Sequence, residues 1–362
     1  MTRPTFTLDL DAVRFNVACW RAALAGRELW AVVKSDAYGC GVVDVARACL
    51  AAGAARLVVF DIEEARPLRA AGIGAPIVQV FAARGDAFVT AAHLGVTPTI
   101  EDTAGARELS DIAQWRGRRM QAHVAVDTGT GWSGVPASRA GEFAAAVAAM
   151  PGIGWEGAWT HVGGKETMDA QLRAFATAIA AMRAQGLALP VIHAASTGPV
   201  LWGRSTGAAR IGIGLFGSSL GEDGARIHLR TAIDVRADVI SVKRYDAPTP
   251  LGYGGQDVAL PGESIATLRI GYADGLPKSL TGEGAVTIGG ARCPIVGAIG
   301  MNCTMVRVPA NATVGAGDVA TVVGEVDGVR IDDVAAAAAT IPHALLTALA
   351  RGMGVRRIGA SA

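Results

Sequence analysis

The sequence predicts an α/β protein: a (β/α)8 barrel of the TIM type followed by a C-terminal, mainly β domain. Two observations support this prediction. Over the first two thirds of the 362 residues, short apolar runs alternate with alanine-rich helical segments. After about residue 225, short β-like runs are separated by glycine- and proline-rich turns instead. We therefore expect two domains, residues 1–225 and residues 226–362.

Eight runs in the first region have the length and composition of buried strands. They cover residues 29–34, 56–60, 76–81, 96–100, 122–127, 155–161, 190–194 and 209–213. Helical segments separate most of them, and Asp11 is the expected cap of a first helix that ends near Gly26. Lys34, Asp127 and His161 end three of these strands, so they should meet at the carboxyl-terminal face, where barrels carry their chemistry.

The second region predicts a compact β domain. Its β-like runs include residues 233–242, 264–270, 285–288 and 319–323, and only residues 332–350 read as helical.

Composition restricts the class of protein. Apolar residues make up 51% of the chain and the net charge is +1, which is typical of a globular protein and does not suggest a nucleic-acid partner. The five cysteines form no C-x-x-C pair, and the six histidines are dispersed, so we expect reduced thiols and no metal site. With no signal peptide and no bilayer-length apolar run, we expect a cytoplasmic protein without a membrane partner.

A lysine ends the first predicted barrel strand, in the segment W-A-V-V-K-S-D-A-Y-G-C-G at residues 30–41. Lysine is almost never fully buried without a partner. A primary amine at the end of a core strand can form a Schiff base with an aldehyde. From these residues alone, Lys34 could equally extend its ammonium group to solvent at the end of the strand.

This segment closely resembles the pyridoxal-phosphate lysine motif of the alanine racemases, roughly V-K-A-N-A-Y-G-H-G. It keeps Lys34, Tyr38, Gly39 and Gly41, and it departs from the motif at residues 36 and 40. The resemblance extends from about residue 6 to residue 357 and implies pyridoxal 5'-phosphate as the cofactor. It also implies that Lys34 binds the cofactor covalently and that Tyr38 lies beside the cofactor phosphate.

Residues 212–217 spell G-x-G-x-x-G, with Asp234 about twenty residues further on, as in a dinucleotide-binding fingerprint. The residues that follow have loop composition, so the helix that this fingerprint needs is not expected. A phosphate-binding turn after the last barrel strand is the better interpretation. The resemblance agrees, because it implies that Gly212 and Ile213 bind the phosphate through their backbone.

Three more residues receive cofactor-binding roles from the resemblance. Thr197, in H-A-A-S-T, would supply a hydroxyl to the phosphate, and His161 would pack on the cofactor ring. Arg210 would face the pyridine nitrogen. A guanidinium that is always protonated disfavours a pyridinium there, which favours racemisation over transamination.

The second strong signal is I-G-Y-A-D-G at residues 270–275. Taken alone, Tyr272 would be a structural tyrosine, but this segment resembles the alanine-racemase motif that carries the second catalytic base. Racemisation needs an acid–base group on each side of the α-carbon, and Lys34 and Tyr272 would supply them. The family donates this tyrosine across a head-to-tail homodimer, and Tyr253 would lie at the entrance of the partner's site.

The chain departs from the family mainly where the substrate would bind. Ala125 and Trp132 stand where the family has a lysine and the arginine that it orients, so Trp132 fills volume without supplying a cation for the substrate carboxylate. Met301 is kept, with its backbone N–H as a carboxylate donor, while Asn302 replaces an aspartate. His343 stands where the family has a tyrosine that narrows the pocket.

The sequence thus predicts a pyridoxal-phosphate-dependent amino-acid racemase, an isomerase. Alanine is the default substrate, and serine or another larger or polar amino acid is the second choice. Two alternatives stay open: a related barrel enzyme with altered chemistry, such as a decarboxylase, and a non-catalytic pyridoxal-phosphate carrier. The tyrosine of G-Y-A-D-G argues against the decarboxylase, and the β domain of roughly 130 residues argues against the carrier.

Overall fold

The computed structural model describes residues 3–204, 206–221 and 227–359. Its strands are β1 (Thr5–Asp9), β2 (Leu29–Val32), β3 (Arg56–Val59), β4 (Ile77–Ala82), β5 (Val96–Ile100), β6 (Met120–Asp127), β7 (Val135–Pro136), β8 (Ile153–Trp159), β9 (Val191–His193), β10 (Ala195–Ser196), β11 (Ala209–Ile211), β12 (Ile233–Arg244), β13 (Thr249–Leu251), β14 (Asp257–Ala259), β15 (Ser264–Leu268), β16 (Ala285–Ile288), β17 (Ala291–Val296), β18 (Thr304–Val308), β19 (Val319–Val323) and β20 (Val355–Ile358).

The helices are α1 (Leu10–Ala23), α2 (Lys34–Tyr38), α3 (Val42–Ala51), α4 (Ala65–Ala70), α5 (Asp86–Leu94), α6 (Thr103–Trp115), α7 (Ala140–Val147), α8 (Met168–Ala184), α9 (Thr197–Leu201), α10 (Ile331–Ala337) and α11 (Pro342–Met353). Short 3-10 turns cover Ile62–Glu64, Ala137–Arg139, Ile213–Phe216, Tyr253–Gly255, Tyr272–Asp274 and Lys278–Leu280.

The predicted barrel is confirmed. Its parallel strands follow the order β10-β11-β2-β3-β4-β5-β6-β8-β9. Because only Ala194 separates β9 from β10, these two act as one interrupted strand, and eight strand positions enclose the barrel. Every barrel strand lies within three residues of its predicted position, because apolar runs of four to eight residues between helical segments are a strong strand signal.

The first helix starts earlier than the sequence predicts. Asp9, not Asp11, is its N-cap, and the Asp9 carboxylate accepts the backbone N–H groups of Asp11 at 2.8 Å and Ala12 at 3.2 Å. Asp11 forms an ion pair with Arg14 at 2.6 Å instead. The sequence prediction failed here because β1 was not recognised, and β1 ends at the residue that caps the helix.

The C-terminal β domain is confirmed, and it includes the N-terminal strand. Its sheet has the order β15-β18-β17-β16-β19-β12-β1-β20, and the long strand β12 also pairs with β15. Strand β1 pairs antiparallel with β12 and parallel with β20, so both ends of the described chain meet in this sheet. The predicted boundary between residues 225 and 226 lies outside the described residues.

The predicted helix over residues 332–350 is two helices. Helix α10 ends at Ala337, the backbone turns left-handed at Ala339, and Pro342 starts α11 at a position where proline costs no hydrogen bond. Within the described residues, no single helix is long and apolar enough to cross a membrane. Helices α10 and α11 reach that length only together, and the chain bends by 101° between them.

Candidate active site

A cavity of about 950 Å³ opens at the carboxyl-terminal ends of the barrel strands. Nine of the residues singled out in the sequence line it: Lys34, Tyr38, Trp132, His161, Thr197, Arg210, Gly212, Ile213 and His343. They come from five separate strand ends and from α11 of the β domain. The fold therefore brings together residues that lie up to 309 positions apart in the sequence.

Lys34 begins an unusual backbone turn. The four residues that follow, Ser35 to Tyr38, all have positive φ angles between 50° and 61°, so α2 is a left-handed turn. Non-glycine residues pay a steric cost in this region, which persists only when the surroundings stabilise it. The Glu64 carboxylate provides that stabilisation, since it accepts the backbone N–H of Ser35 at 2.7 Å and that of Phe60 at 2.8 Å.

The Lys34 amine is held away from bulk water. Burial lowers its pKa below the ordinary value, and the positive charge of Arg210 lowers it further, while Glu64 opposes the shift. The amine lies 5.8 Å from the centre of the Phe60 ring. A lowered pKa increases the neutral, nucleophilic fraction of the amine at neutral pH, which is what covalent attachment of an aldehyde requires.

One end of the cavity is shaped for a small anion. A Cβ atom on Gly212 would lie only 2.2 Å from the Tyr38 hydroxyl, so glycine is required for this close approach. The Gly212 N–H donates to the Thr197 hydroxyl at 3.4 Å, a long hydrogen bond, and the hydroxyl can rotate to donate to a ligand. The buried Nδ1 of His343 has no hydrogen-bond partner within the described part of the chain. These polar groups fit the phosphate of pyridoxal phosphate.

Arg210 lies deeper in the barrel and is only 5% exposed. Its guanidinium donates to the backbone carbonyls of His193 and of Thr160, the latter at 2.8 Å. Burial lowers its pKa to about 9, so the group is still a cation at neutral pH. A carboxylate beside the ring nitrogen of the cofactor would favour protonation of that nitrogen. The fixed positive charge of Arg210 disfavours it, so Arg210 fits a cofactor ring that stays unprotonated.

His161 and Trp132 close one side of the cavity. Their rings stack with centroids 5.4 Å apart and an angle of 15° between planes. Burial, with help from the charges of Arg210 and Lys34, lowers the pKa of His161 to about 4, so the imidazole is neutral. Trp132 stands at the rim and is 73% exposed, whereas Ala125 is buried in β6 and does not line the cavity.

The remaining predicted site residues lie elsewhere in the same chain. Tyr272, Met301 and Tyr253 are exposed at 44%, 55% and 80%, and none of them lines the cavity. Asn302 borders a separate cavity of about 240 Å³ beside the Tyr272 turn. A single chain therefore places the proposed second base outside the cavity that contains Lys34.

Sequence reasoning missed residues that shape the site. Glu64 was not singled out, although D-x-x-E at residues 61–64 is a capping-box pattern, and the structure shows that capping box. His193 was noted only as part of a motif, and its neighbour His123 was not noted at all. Both are histidines on predicted barrel strands, which is a weak signal without the fold.

Two family models together match most of the chain. Residues 8–220 match the N-terminal domain of alanine racemase, and residues 232–357 match the C-terminal domain. An alanine racemase from Desulforamulus reducens is 33% identical over 312 residues, which cover 83% of this chain and 84% of the relative. Another, from Symbiobacterium thermophilum, is 32% identical, with 96% of each chain covered.

Solved structures agree with the sequence matches. The crystal structure of alanine racemase from a D-cycloserine-producing Streptomyces lavendulae has a TM-score of 0.92 at 30% identity, covering 99% of this chain and 98% of that one. The alanine racemase of Bartonella henselae with covalently bound pyridoxal phosphate has a TM-score of 0.87 at 25% identity, covering 99% of this chain and all of that one. Fold, cavity and both comparisons lead to one conclusion: the chain belongs to the alanine racemase family of pyridoxal-phosphate-dependent isomerases.

Proposed function

We propose that this protein interconverts the L and D forms of an amino acid by a two-base mechanism, with Lys34 and Tyr272 as the bases. One observation carries the proposal: one cavity is lined by a lysine of lowered pKa, by the narrow turn at Gly212 and by the buried cation of Arg210. That arrangement suits a covalently held pyridoxal phosphate.

Pyridoxal phosphate, when bound, withdraws electrons from the substrate and acidifies its α-proton. The other functions belong to residues of this chain. Tyr38, Thr197 and the Gly212–Ile213 backbone, which line the cavity, would hold the phosphate, and Arg210 would supply a positive charge to the ring nitrogen. Lys34 Nζ exchanges a proton with the D-substrate, and Tyr272 Oη exchanges one with the L-substrate from the opposite side.

We propose a head-to-tail homodimer in which each subunit donates Tyr272 to the partner's cavity. Two observations support this arrangement: Tyr272 lies outside its own cavity, and it is exposed together with Met301 and Tyr253 on the β domain. Such an interface is closed and symmetric, so the dimer would hold two equivalent sites.

The proposed substrate is alanine, the amino acid named for the relatives, with serine or another larger or polar amino acid as the second choice. The second choice rests on Trp132 and His343, which line the cavity where the family has arginine and tyrosine. The backbone N–H of Met301 and the Asn302 side chain, reaching over from the partner, would contact the substrate carboxylate region.

The test is α-proton exchange in D₂O, followed by NMR with a panel of L- and D-amino acids and the cofactor-loaded protein. Exchange with inversion of configuration supports the racemase and identifies its substrate. Release of carbon dioxide would indicate a decarboxylase instead. If no amino acid in the panel exchanges its α-proton, while borohydride still fixes the cofactor on Lys34, the protein would be a carrier.

The shared site has its own test, in which Lys34→Ala protein is mixed with Tyr272→Phe protein after both are dissociated. Each variant alone should be inactive. A mixed dimer restores one intact site, so random mixing should recover about a quarter of the wild-type activity. No recovery, with mixed dimers present, would contradict donation of Tyr272 across the interface.

A further inference from the structure

A row of buried and partly buried polar side chains extends from Arg210, and the four residues that continue it do not line the cavity. Its members are His193 on β9, His123 on β6, Glu156 on β8 and Arg56 on β3. Both histidines are completely buried, and the mechanism proposed above uses none of the four. A buried polar row costs free energy unless its hydrogen bonds are complete, so it needs an explanation.

The contacts join the row into one continuous path. Arg210 Nη1 lies 2.9 Å from His193 Nδ1, and His193 Nε2 lies 2.7 Å from His123 Nδ1. His123 Nε2 is 3.4 Å from Glu156 Oε2, which is within ion-pair range but too long for an ordinary hydrogen bond, and this nitrogen has no hydrogen-bond partner within the described residues. Glu156 Oε1 accepts from Arg56 Nη1 at 2.7 Å. The indole of Trp30 holds the His193 ring at 4.4 Å between centroids.

These contacts allow only one arrangement of protons. Arginine is a donor only, so His193 must accept from Arg210 at Nδ1 and carry its own proton on Nε2. That proton is donated to His123 Nδ1, so His123 also carries its proton on Nε2, and this proton points at Glu156. Each N–H group in the row therefore donates in the direction of Glu156.

The charges at the two ends are consistent with this order. Contacts with His123 and Arg56 lower the pKa of Glu156 to about 2, so it is a carboxylate that can only accept. Burial lowers the pKa values of His123 and His193, so both rings are neutral and each carries one proton. An acceptor at one end and a donor at the other fix the tautomers between them.

We propose that Glu156, His123 and His193 are positioning residues for Arg210. The Glu156 carboxylate fixes the tautomers of both histidines, and His193 Nδ1 therefore stays a hydrogen-bond acceptor for Arg210. The consequence for catalysis rests on the proposed function, in which Arg210 faces the cofactor ring. The orientation of Arg210 is then set from the far side of the barrel.

The variant Glu156→Gln tests the direction of the row. Its amide can donate to His123 Nε2, which would move the His123 proton to Nδ1 and the His193 proton to Nδ1 in turn. His193 would then point an N–H at the guanidinium, two donors would face each other, and Arg210 would be displaced. Glu28→Gln is the matched control, because Glu28 also lies near Arg56, at 3.9 Å, and contacts neither histidine, while a glutamine oxygen can still accept the Trp30 indole N–H that Glu28 accepts at 2.7 Å.

The readout is ¹⁵N NMR of the holoenzyme with labelled histidine, where scalar coupling across the His193–His123 hydrogen bond identifies the two rings. We expect both wild-type rings to be protonated on Nε2. We expect both to change tautomer in Glu156→Gln and neither to change in Glu28→Gln. A wild-type ring protonated on Nδ1 would overturn the proposal, and this holds even if the variant does not fold. Unchanged tautomers in folded Glu156→Gln would overturn it as well.

Kinetics separate positioning from simple structural support. Glu156→Gln should lower kcat by roughly 10- to 100-fold, because a small misplacement of a group at the reacting centre has an effect of that size. KM should stay within about twofold, since no member of the row is expected to touch the substrate, and the cofactor absorption spectrum should shift. Wild-type kcat with changed tautomers would overturn the link to Arg210. If no amino acid reacts with wild-type protein while the tautomers are as expected, the proposed function fails and the tautomer assignment stands.

Discussion

Replacing Gly212 with alanine tests whether the turn after β11 is built around the Tyr38 hydroxyl. Gly212 has φ −115° and ψ −92°, so it is not in the left-handed region that favours glycine, and the contacts of the new Cβ are what the substitution tests. The new Cβ would lie 2.2 Å from Tyr38 Oη, 3.3 Å from Tyr38 Cζ and 3.5 Å from Val32 Cβ. Only the first of these distances is too short for any side chain to tolerate, so the tyrosine hydroxyl must move.

The size of the effect follows from the burial of Tyr38, which is 6% exposed. If the ring stays in place, overpacking lowers the free energy of unfolding by about 1–3 kcal/mol. If the ring moves away, the phosphate loses the donor that we propose for it, which costs about 1.5–3 kcal/mol for a charged acceptor. The second outcome weakens cofactor binding roughly 10- to 150-fold.

Two assays cover both outcomes: urea unfolding of the cofactor-free protein and a fluorescence titration with pyridoxal phosphate. Gly74→Ala is the matched control, because Gly74 is exposed, has a normal φ angle, and nothing lies within 4 Å of the Cβ position. We expect the control to be neutral or slightly stabilising.

Tyr38→Phe provides the decisive comparison because it removes the atom that the new Cβ meets. In the Tyr38→Phe background, Gly212→Ala should cost less than in wild type by about 0.5–3 kcal/mol, since the 2.2 Å contact is gone and only the 3.3 Å contact with the ring carbon is left. An equal cost in both backgrounds would refute the reasoning. So would a Gly212→Ala protein with wild-type stability and wild-type cofactor affinity.

Three further predictions follow from the site. Glu64→Ala leaves the backbone N–H groups of the left-handed turn without an acceptor and should lower the free energy of unfolding by about 2 kcal/mol in urea, while exposed Glu63→Ala stays within about 0.5 kcal/mol. Trp132→Arg places a cation at the cavity rim and should lower KM for alanine about 2- to 5-fold in steady-state assays, while Trp115→Arg, at an equally exposed indole far from the cavity, leaves KM unchanged. The pKa of His161 is lowered from 6.5 to about 4, so between these pH values the unfolded chain binds a proton that the folded chain does not, and stability falls as the pH falls. In His161→Asn, the free energy of unfolding measured at several pH values should fall by about 1–3 kcal/mol less over this window than in wild type.

The barrel was predictable from the sequence because its strands are buried on both faces. A strand such as β2 appears as an uninterrupted, fully buried apolar run, which needs no knowledge of its neighbours to be recognised. Strands β1, β17, β18 and β20 were missed for the opposite reason. Each alternates exposed and buried residues or is mostly exposed, and β1 is paired only with strands more than two hundred residues away.

Residue types with strong local constraints could also be predicted. Lys34 after an apolar strand, the glycines of the turn at residues 212–217 and the tyrosine of G-Y-A-D-G all stand out in the sequence. Glu64 and His123 could not be predicted, because their partners are set by tertiary contacts. Glu64 acts on the backbone of Ser35, 29 residues earlier, and His123 meets His193 across 70 residues.

The sequence by itself therefore determined the order of the barrel elements and the chemical groups available to the site, since these depend on local hydrophobic patterns and on residue identity. The tertiary structure decided which of those groups meet. It placed Lys34, Arg210 and His343 around one cavity and left Tyr272 outside it. It also decided their protonation, because the lowered pKa values of Lys34, His161 and Arg210 arise from burial and from neighbouring charges that only the closed barrel brings together.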